Sequence, residues 1–283
     1  MRILFIGDIF AKVGRDLVKR AVPALVATRG IDLVIANGEN SAGGFGITRE
    51  ISRELFDTGI AVMTSGNHVW DKREILAFID EEPRLLRPFN YPAGTPGRGS
   101  TIVTLGDGTR VGVLNLMGRV FMTAIDDPFA LGRAEAERLR EHADIVFVDF
   151  HAEATSEKIA LGWHLDGLVT AVVGTHTHVQ TADERLLPNG TAYLTDAGMT
   201  GPHDSIIGME RESAMTRFLT GMPSKFEPAS GNPRLNGVIV EADDRSGRAT
   251  GVTRISYSER DLQALPSTGS STGAGGVLQE SSR

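Results

Sequence analysis

The stretch IAVMTSGNH at residues 60–68 sets the pattern that decides the fold. It is a short apolar run that leads into a glycine and then into polar side chains. The same pattern occurs in RILFIGD at residues 2–8 and in DLVIANGEN at residues 32–40. Apolar runs of this length are typical of buried β-strands. We therefore predict three strands, each of which ends in a polar loop.

The segments between these strands have the residue spacing of helices. They cover residues 14–29 and 48–58, and Pro23 is expected to kink or shorten the first helix. Strands that alternate with helices pair in parallel, so the first half of the chain predicts a layered α/β fold.

The second half of the chain contains both hairpin and helix signals. Asp107-Gly108 lies between apolar runs at 101–105 and 110–116, which predicts a β-hairpin. Asp127-Pro128 predicts the start of a helix that ends near residue 141. Two mixed sheets flanked by helices are the simplest arrangement. The remaining predicted strands are 144–150, 169–174, 191–195 and 236–241.

These elements predict a single domain over residues 1–265, with a small cap possible within residues 88–125. Residues 266–283 are rich in Ser, Thr and Gly, so we expect a disordered tail. Apolar residues around 88–100 could pack against another subunit, which leaves open the formation of a homo-oligomer.

The composition limits where the protein works and what it binds. Because the chain has no cysteine, any metal must bind histidine, carboxylate or amide groups. The apolar start of the chain is interrupted at Asp8, and no apolar run approaches the ~18 residues of a membrane span, so we expect a cytoplasmic protein without membrane contact. The net charge of -7 argues against a broad nucleic-acid surface, which is usually basic.

Potential metal ligands follow nearly every predicted strand. In open α/β sheets, functional groups gather where the strands end, so these side chains are expected to meet. His176 and His178 form a His-x-His pair, and an extended segment would point both imidazoles to one side. The candidates are Asp8, Glu39, Asn40, Asn67, His68, His151, His176 and His178.

These motifs, in this order and spacing, resemble the calcineurin-like metallophosphoesterase signature over residues 7–178. The runs HAEATSEK at 151–158, GTHTHVQTAD at 174–183 and TDAGMTG at 195–201 look like the bacterial YmdB-like subgroup. The resemblance implies a four-layer α/β/β/α sandwich of two mixed sheets.

The resemblance also implies two metal ions bridged by Glu39, each held by three further ligands. Two positions depart from the wider family, which has His at the position of Phe10 and Asp at the position of Glu39. Asn40 can supply the missing ligand. Mixed nitrogen and oxygen ligation suits iron or manganese, and also zinc, better than magnesium. The first ion is assigned to Asp8, Asn40 and His178 together with Glu39, and the second to Asn67, His151 and His176 together with Glu39.

The expected chemistry is hydrolysis of a phosphate ester by a hydroxide that bridges the two ions. His68 is the candidate general acid for the leaving group. Asp71 either orients His68 or caps the next helix, and we favour the cap. Phe121 and His203 are weaker candidates for substrate contacts.

A small phosphorylated substrate, in particular a 2′,3′-cyclic nucleotide, is suggested by the YmdB-like resemblance. Three alternatives stay open: a generic phosphomonoesterase, a nuclease, and a regulatory protein that binds a nucleotide or a partner with little turnover. A nuclease would need a basic groove, and the basic clusters at 12–15, 84–87 and 98–110 are scattered along the chain.

Overall fold

The computed structural model describes residues 1–265. Its strands are β1 (Arg2–Ile6), β2 (Leu33–Asn37), β3 (Val62–Thr64), β4 (Ser100–Thr104), β5 (Arg110–Met117), β6 (Ile145–His151), β7 (Ala171–Thr175), β8 (Arg185–Leu186), β9 (Ala192–Leu194), β10 (Gly201–Pro202), β11 (Pro233–Ala242) and β12 (Ala249–Ser258). Its α-helices are α1 (Ala11–Arg29), α2 (Arg49–Phe56), α3 (Pro128–Arg140), α4 (Thr155–His164), α5 (Arg211–Thr220) and α6 (Glu259–Gln263), and a 3-10 helix covers Arg73–Ala77.

The strands form two mixed sheets, as predicted. In the first sheet β1, β2 and β3 are parallel neighbours, and β11 continues the sheet antiparallel to β1. In the second sheet β5, β6, β7 and β9 are parallel, and the antiparallel strands β4 and β8 form its edges. The parallel strands at the centre of each sheet therefore all end on one side.

The alternation of side chains along the strands divides the molecule into four layers. In β1, Ile3 and Phe5 belong to the apolar core between the two sheets, whereas Leu4 and Ile6 pack in the core beneath α1. Phe5 meets Phe147 of β6 across the interface, with ring centroids 5.1 Å apart. A third core lies between the second sheet and the helices α3 and α4. The predicted α/β/β/α sandwich is confirmed.

The expectation that Pro23 shortens the first helix is wrong, and a kink at Pro23 stays a prediction. Helix α1 is continuous from Ala11 to Arg29 with Pro23 inside it, and Gly30 ends it in a left-handed conformation with φ of 61°. Pro23 and Lys19 both lie on the exposed side of the helix. The Lys19 carbonyl that loses its helical partner can therefore be hydrated, which lowers the cost of the proline.

The hairpin and helix signals of the second half are confirmed. Strands β4 and β5 pair antiparallel, and the Asp107 carboxylate accepts a hydrogen bond from Thr109 N at 2.9 Å in the turn. Asp127 caps α3 by accepting from Phe129 N at 3.0 Å.

The predictions of a cap and of a disordered tail have different outcomes. Within residues 88–125, β4 and β5 are strands of the second sheet, and a cap there stays a prediction. The predicted tail, residues 266–283, lies outside the described residues. Within residues 1–265, none of the helices combines the length and the apolar composition that crossing a membrane requires.

Candidate metal centre

The two sheets place the carboxyl ends of their parallel strands next to each other. Asp8, Glu39 and Asn67 follow the strands β1, β2 and β3 of the first sheet, while His151 ends β6 and His176 follows β7 in the second sheet. Parallel strands end at the same edge of a sheet, so the loops that follow them meet there although they are distant in sequence. The site therefore lies across the junction of the two sheets.

One nitrogen atom, His151 Nε2, is the meeting point of four side chains. Glu39 Oε1 lies 3.0 Å from it, Asn67 Oδ1 lies 2.9 Å from it, and His176 Nδ1 lies 3.0 Å from it. His151 and Glu39 are buried. These are the four side chains predicted to share the second metal ion.

The outer nitrogen of each of the two histidines has a hydrogen-bonding partner that orients the ring. Thr175 donates its hydroxyl proton to Asp149 Oδ1 at 2.7 Å, so its oxygen accepts from His151 Nδ1 at 2.9 Å. His176 Nε2 lies 3.0 Å from the Glu153 carboxylate. Each histidine therefore directs its other ring nitrogen, Nε2 of His151 and Nδ1 of His176, toward the cluster.

The inward atoms of this cluster are all potential electron-pair donors to a cation. Two imidazole nitrogens, a carboxylate oxygen and an amide oxygen at these distances repel unless a cation lies among them. Glu39, His151 and His176 also offer three ligand atoms that lie within 4.8 Å of one another. Mixed nitrogen and oxygen donors of this kind suit a transition-metal ion, and the residues fit the predicted group.

Buried oxygens without partners mark a second position beside the first. Asp8 Oδ1 and Asn40 Oδ1 are buried and have no hydrogen-bond partner among the described residues. Buried polar atoms are normally paired, so an unpaired acceptor points to a bound ion or water. Asn40 Nδ2 donates to Gly44 O at 3.0 Å, which holds the amide oxygen inward. His178 Nδ1 lies 2.8 Å from Ile207 O, which leaves Nε2 available as a ligand.

The electrostatics of the pocket favour positive charge at its centre. Burial raises the pKa of Asp8 well above its usual value. Burial opposes ionisation of Glu39 too, but the charge and hydrogen bond of His151 lower its pKa to about 2. Burial likewise disfavours the charged form of His151, yet Glu39 and Asp8 raise its pKa to about 9. Burial and repulsion from His151 lower the pKa of His176 to about 3, which keeps this imidazole neutral.

The His-x-His segment is not extended, contrary to the sequence expectation. His176 has φ of 100° and His178 has φ of 67°, and non-glycine residues rarely adopt this left-handed backbone. Asp196 holds the loop in place, because its carboxylate accepts hydrogen bonds from Thr177 N at 3.1 Å and from Thr177 Oγ1 at 2.7 Å. Lys158 donates to the same carboxylate oxygen at 2.6 Å. The surrounding contacts therefore maintain the strained loop.

Gly66 lets two loops approach closely at the centre of the site. A Cβ atom at this position would overlap the imidazole ring of His151. The glycine before Asn67 is thus required because the first sheet must bring this loop directly against the second sheet's histidine.

His68 lies beside the predicted ligands and is oriented by Asp71. The two side chains are 2.8 Å apart from His68 Nδ1 to Asp71 Oδ2, and the His68 side chain is 28% exposed. The preference for Asp71 as a helix cap is wrong, because Lys72 occupies the N-cap position of the 3-10 helix. The backbone N–H of His68 donates to Glu39 Oε2 at 3.1 Å, which ties the loop to the predicted bridging ligand.

A cavity of about 410 Å³ opens onto these side chains. Its lining includes Glu39, Asn40, His68, His176 and His178. The lining residues include neither Phe121, which is 90% exposed, nor His203, whose Nε2 lies 3.0 Å from Asn236 Nδ2. Phe10 contributes to the cavity wall and packs edge-on against His178.

Several residues of this site were not identified from the sequence. Thr175, Asp149 and Glu153 orient the two imidazoles, and Asp196 with Lys158 holds the His-x-His loop. Asp149 could have been identified from the sequence, because it lies within the apolar run DIVFVDF. A carboxylate that is buried in a strand needs a polar partner.

Comparison with known proteins identifies the family. The YmdB-like protein family model matches residues 4–255. The chain belongs to the YmdB-like family. Its sequence is 51% identical to the 2′,3′-cyclic-nucleotide 2′-phosphodiesterase of Bacillus subtilis over 255 residues, which are 90% of this chain and 96% of that protein.

Solved structures agree with this YmdB-like assignment. A phosphatase of Mycoplasma pneumoniae has a TM-score of 0.86 and 33% identity, and covers 93% of this chain and 96% of its own. A hypothetical protein from Thermus thermophilus has a TM-score of 0.85 and 44% identity, with 91% and 99% coverage. This YmdB-like chain is thus a phosphoric ester hydrolase of the metallophosphoesterase type.

Proposed function

We propose that this protein is a dinuclear metal phosphodiesterase that opens 2′,3′-cyclic nucleotides at the 2′ oxygen. The observation that carries the proposal is the convergence of nitrogen and oxygen ligand atoms on His151 Nε2 beside the buried, unpaired Asp8 Oδ1. The name and the 51% identity of the Bacillus subtilis relative support the substrate class. Phosphomonoester hydrolysis is the alternative that the experiment below separates.

The proposed ligands fall into two sets that share Glu39, and iron or manganese is the metal that suits them. Two bound divalent ions would lower the pKa of a water molecule and offset the charge that develops on the phosphoryl oxygens. The protein's own contribution is to fix the ligand orientations. The first set is Asp8, Glu39, Asn40 and His178, and the second is Glu39, Asn67, His151 and His176.

His68 is the proposed proton donor to the leaving 2′ oxygen. Because Asp71 binds Nδ1 at 2.8 Å, the other ring nitrogen, Nε2, is left to donate a proton to substrate. The ring of Phe45 packs edge-on against His68 at 5.0 Å between centroids and limits its rotation. General-acid help of this kind is typically worth about 10²–10⁴ in rate.

Contacts of basic side chains within residues 1–265 disfavour the nuclease alternative, which needs a basic groove. In the clusters noted in the sequence, Lys12 pairs with Asp16, and Arg84 pairs with Glu82. Arg87 donates to backbone carbonyls of its own loop, including Pro96 O at 3.1 Å. These charges are used within the fold, which favours a small substrate over a polymer.

The test combines metal analysis with hydrolysis of 2′,3′-cyclic AMP, bis-p-nitrophenyl phosphate and p-nitrophenyl phosphate. Wild type is compared with Asp8→Asn and His68→Ala, and Asp57→Asn on an exposed helix end serves as the matched control. We expect about two metal ions per chain and a preference for the cyclic nucleotide. Asp8→Asn should lose metal and turnover, whereas His68→Ala should keep the metal and lose about 10²-fold or more in kcat.

Protein that stays metal-free and inactive after reconstitution with manganese or iron would refute the dinuclear mechanism. A preference for p-nitrophenyl phosphate would assign the enzyme to the phosphomonoesterases. Retention of full kcat by His68→Ala would remove His68 from the proposed mechanism while leaving the metal centre intact.

A further inference from the structure

The cavity at the metal centre has two chemically different walls. One wall consists of the proposed ligands and His68. The second wall is apolar, and it includes Phe10, Phe45, Met209, Phe218 and Phe226. Phe10 and Met209 are buried in a small cluster of their own, on which Phe45 and Phe226 pack. A group attached to a phosphate at the first wall would therefore extend along aromatic and aliphatic side chains.

The apolar wall is built largely by one excursion of the chain, residues 203–232, between β10 and β11. The excursion folds back on itself, since Glu210 N donates to Glu227 O at 2.8 Å and Ala229 N donates to Gly208 O at 2.8 Å. Helix α5 lies at its tip, and Ala214 is the one residue of that helix that is buried.

Helix α5 presents an aromatic side chain to the cavity without burying it. Phe218 lines the cavity and yet is 79% exposed. Leu219 beside it is 76% exposed but does not belong to the lining. Because Phe218 both lines the cavity and is largely exposed, a ligand bound in the cavity would cover part of its ring.

We propose that this apolar wall binds the nucleobase of the substrate and that the ring of Phe218 stacks on the base. The inference rests on the proposed function and names the part of the site that selects the substrate. A volume of about 410 Å³ falls within the range of about 300–1,000 Å³ for small-molecule sites. Aromatic walls suit a planar base because every base has a π-face that stacks on such rings.

The wall binds the base by contact area and not by hydrogen bonds to its edge. Among the described residues that line the cavity, Thr177 and Glu153 are the polar side chains besides the proposed ligands and His68. Glu153 is already bound to His176 and Thr177 to Asp196. Adenine and guanine substrates should therefore be used with similar kcat/KM, and the smaller pyrimidines less well.

The kinetic test compares a substrate that has a base with one that lacks it. The substrates are 2′,3′-cyclic AMP and methyl ribofuranoside 2′,3′-cyclic phosphate, and the variants of the metal-loaded enzyme are Phe218→Ala and, as the matched control, Leu219→Ala. We expect Phe218→Ala to raise KM for the nucleotide by roughly 5- to 150-fold, as loss of one stacking contact implies, with little change in kcat. The base-free substrate and Leu219→Ala should show no such change.

A binding test reports the base directly. In Phe218→Trp, titration of the metal-loaded protein with adenosine should quench fluorescence beyond the change seen in wild type, which has Trp70 and Trp163. Ribose should cause no quenching.

The results separate the two proposals. Equal effects of Phe218→Ala on both cyclic phosphates, or no effect on either, would overturn the base-binding wall, as would the absence of quenching by adenosine. Failure of wild type to hydrolyse either cyclic phosphate would refute the proposed function, while quenching by adenosine would still support the base site.

Discussion

Replacement of Lys158 by Met tests how the fold supports the His-x-His loop. Lys158 and Asp196 are each 1% exposed, and Nζ lies 2.6 Å from Oδ2. Removal of the cation leaves a buried carboxylate that keeps its hydrogen bonds from Thr177 and from Gly198 N. Breaking a buried pair from one side typically costs about 3–5 kcal/mol, and the remaining hydrogen bonds favour the lower end of that range.

An exposed ion pair with the same nitrogen–oxygen distance provides the control. Lys12 Nζ also lies 2.6 Å from a carboxylate oxygen, that of Asp16, but the Lys12 side chain is 76% exposed. Lys12→Met should cost less than about 1 kcal/mol, because water screens exposed ion pairs. The two ion pairs have the same nitrogen–oxygen distance and differ strongly in burial.

Urea and thermal unfolding followed by circular dichroism measure both variants. A loss of about 3 kcal/mol corresponds to a fall in Tm of roughly 6–12 °C for a domain of this size. Asp196→Asn in the Lys158→Met background removes the unpaired charge and keeps an oxygen for Thr177, so it should recover part of the loss. A Lys158→Met protein as stable as Lys12→Met would refute the reasoning.

Three further predictions concern the metal centre and one acidic residue. Thr175→Val removes the acceptor of His151 Nδ1, so metal affinity in a chelator titration should fall about 10- to 100-fold. Treatment with EDTA should abolish hydrolysis and lower Tm, and excess manganese at about 100 times its Kd should restore about 2.7 kcal/mol. Burial opposes ionisation of Asp183, yet hydrogen bonds from Thr195 lower its pKa below the usual 3.8, so its stabilisation is complete above that pH and is lost as the pH falls below it. Asp183→Asn should therefore flatten the dependence of unfolding free energy on pH below about pH 4.

Each of these results has an outcome that would contradict it. Metal affinity of Thr175→Val equal to that of the exposed control Thr28→Val would show that the hydroxyl does not orient His151. Full activity after exhaustive chelation would exclude a metal-dependent reaction. An equally steep loss of stability in acid for Asp183→Asn and wild type would assign that loss to other carboxylates.

The sequence by itself determined the layered fold and most of the side chains that meet at the site. Apolar runs that end in glycine and polar residues predicted the strands, because the length of a run and the residues that follow it are local properties of the chain. The resemblance carried by motifs such as GTHTHVQTAD supplied the grouping of the ligands. The prediction that Pro23 shortens the first helix was wrong, because a proline in the sequence does not tell whether the freed carbonyl faces water.

The tertiary structure alone decided how those side chains are oriented and which apolar side chains share the cavity with them. The contact of Thr175 with His151 spans 24 residues, and the Asp8 contact with the backbone of His176 spans 168. The left-handed backbone at both histidines and the exposed Phe218 also follow from packing between separate segments. The reason is physical: a local sequence pattern determines which elements form, whereas the partner of each hydrogen bond depends on which distant segment the folded core brings beside it.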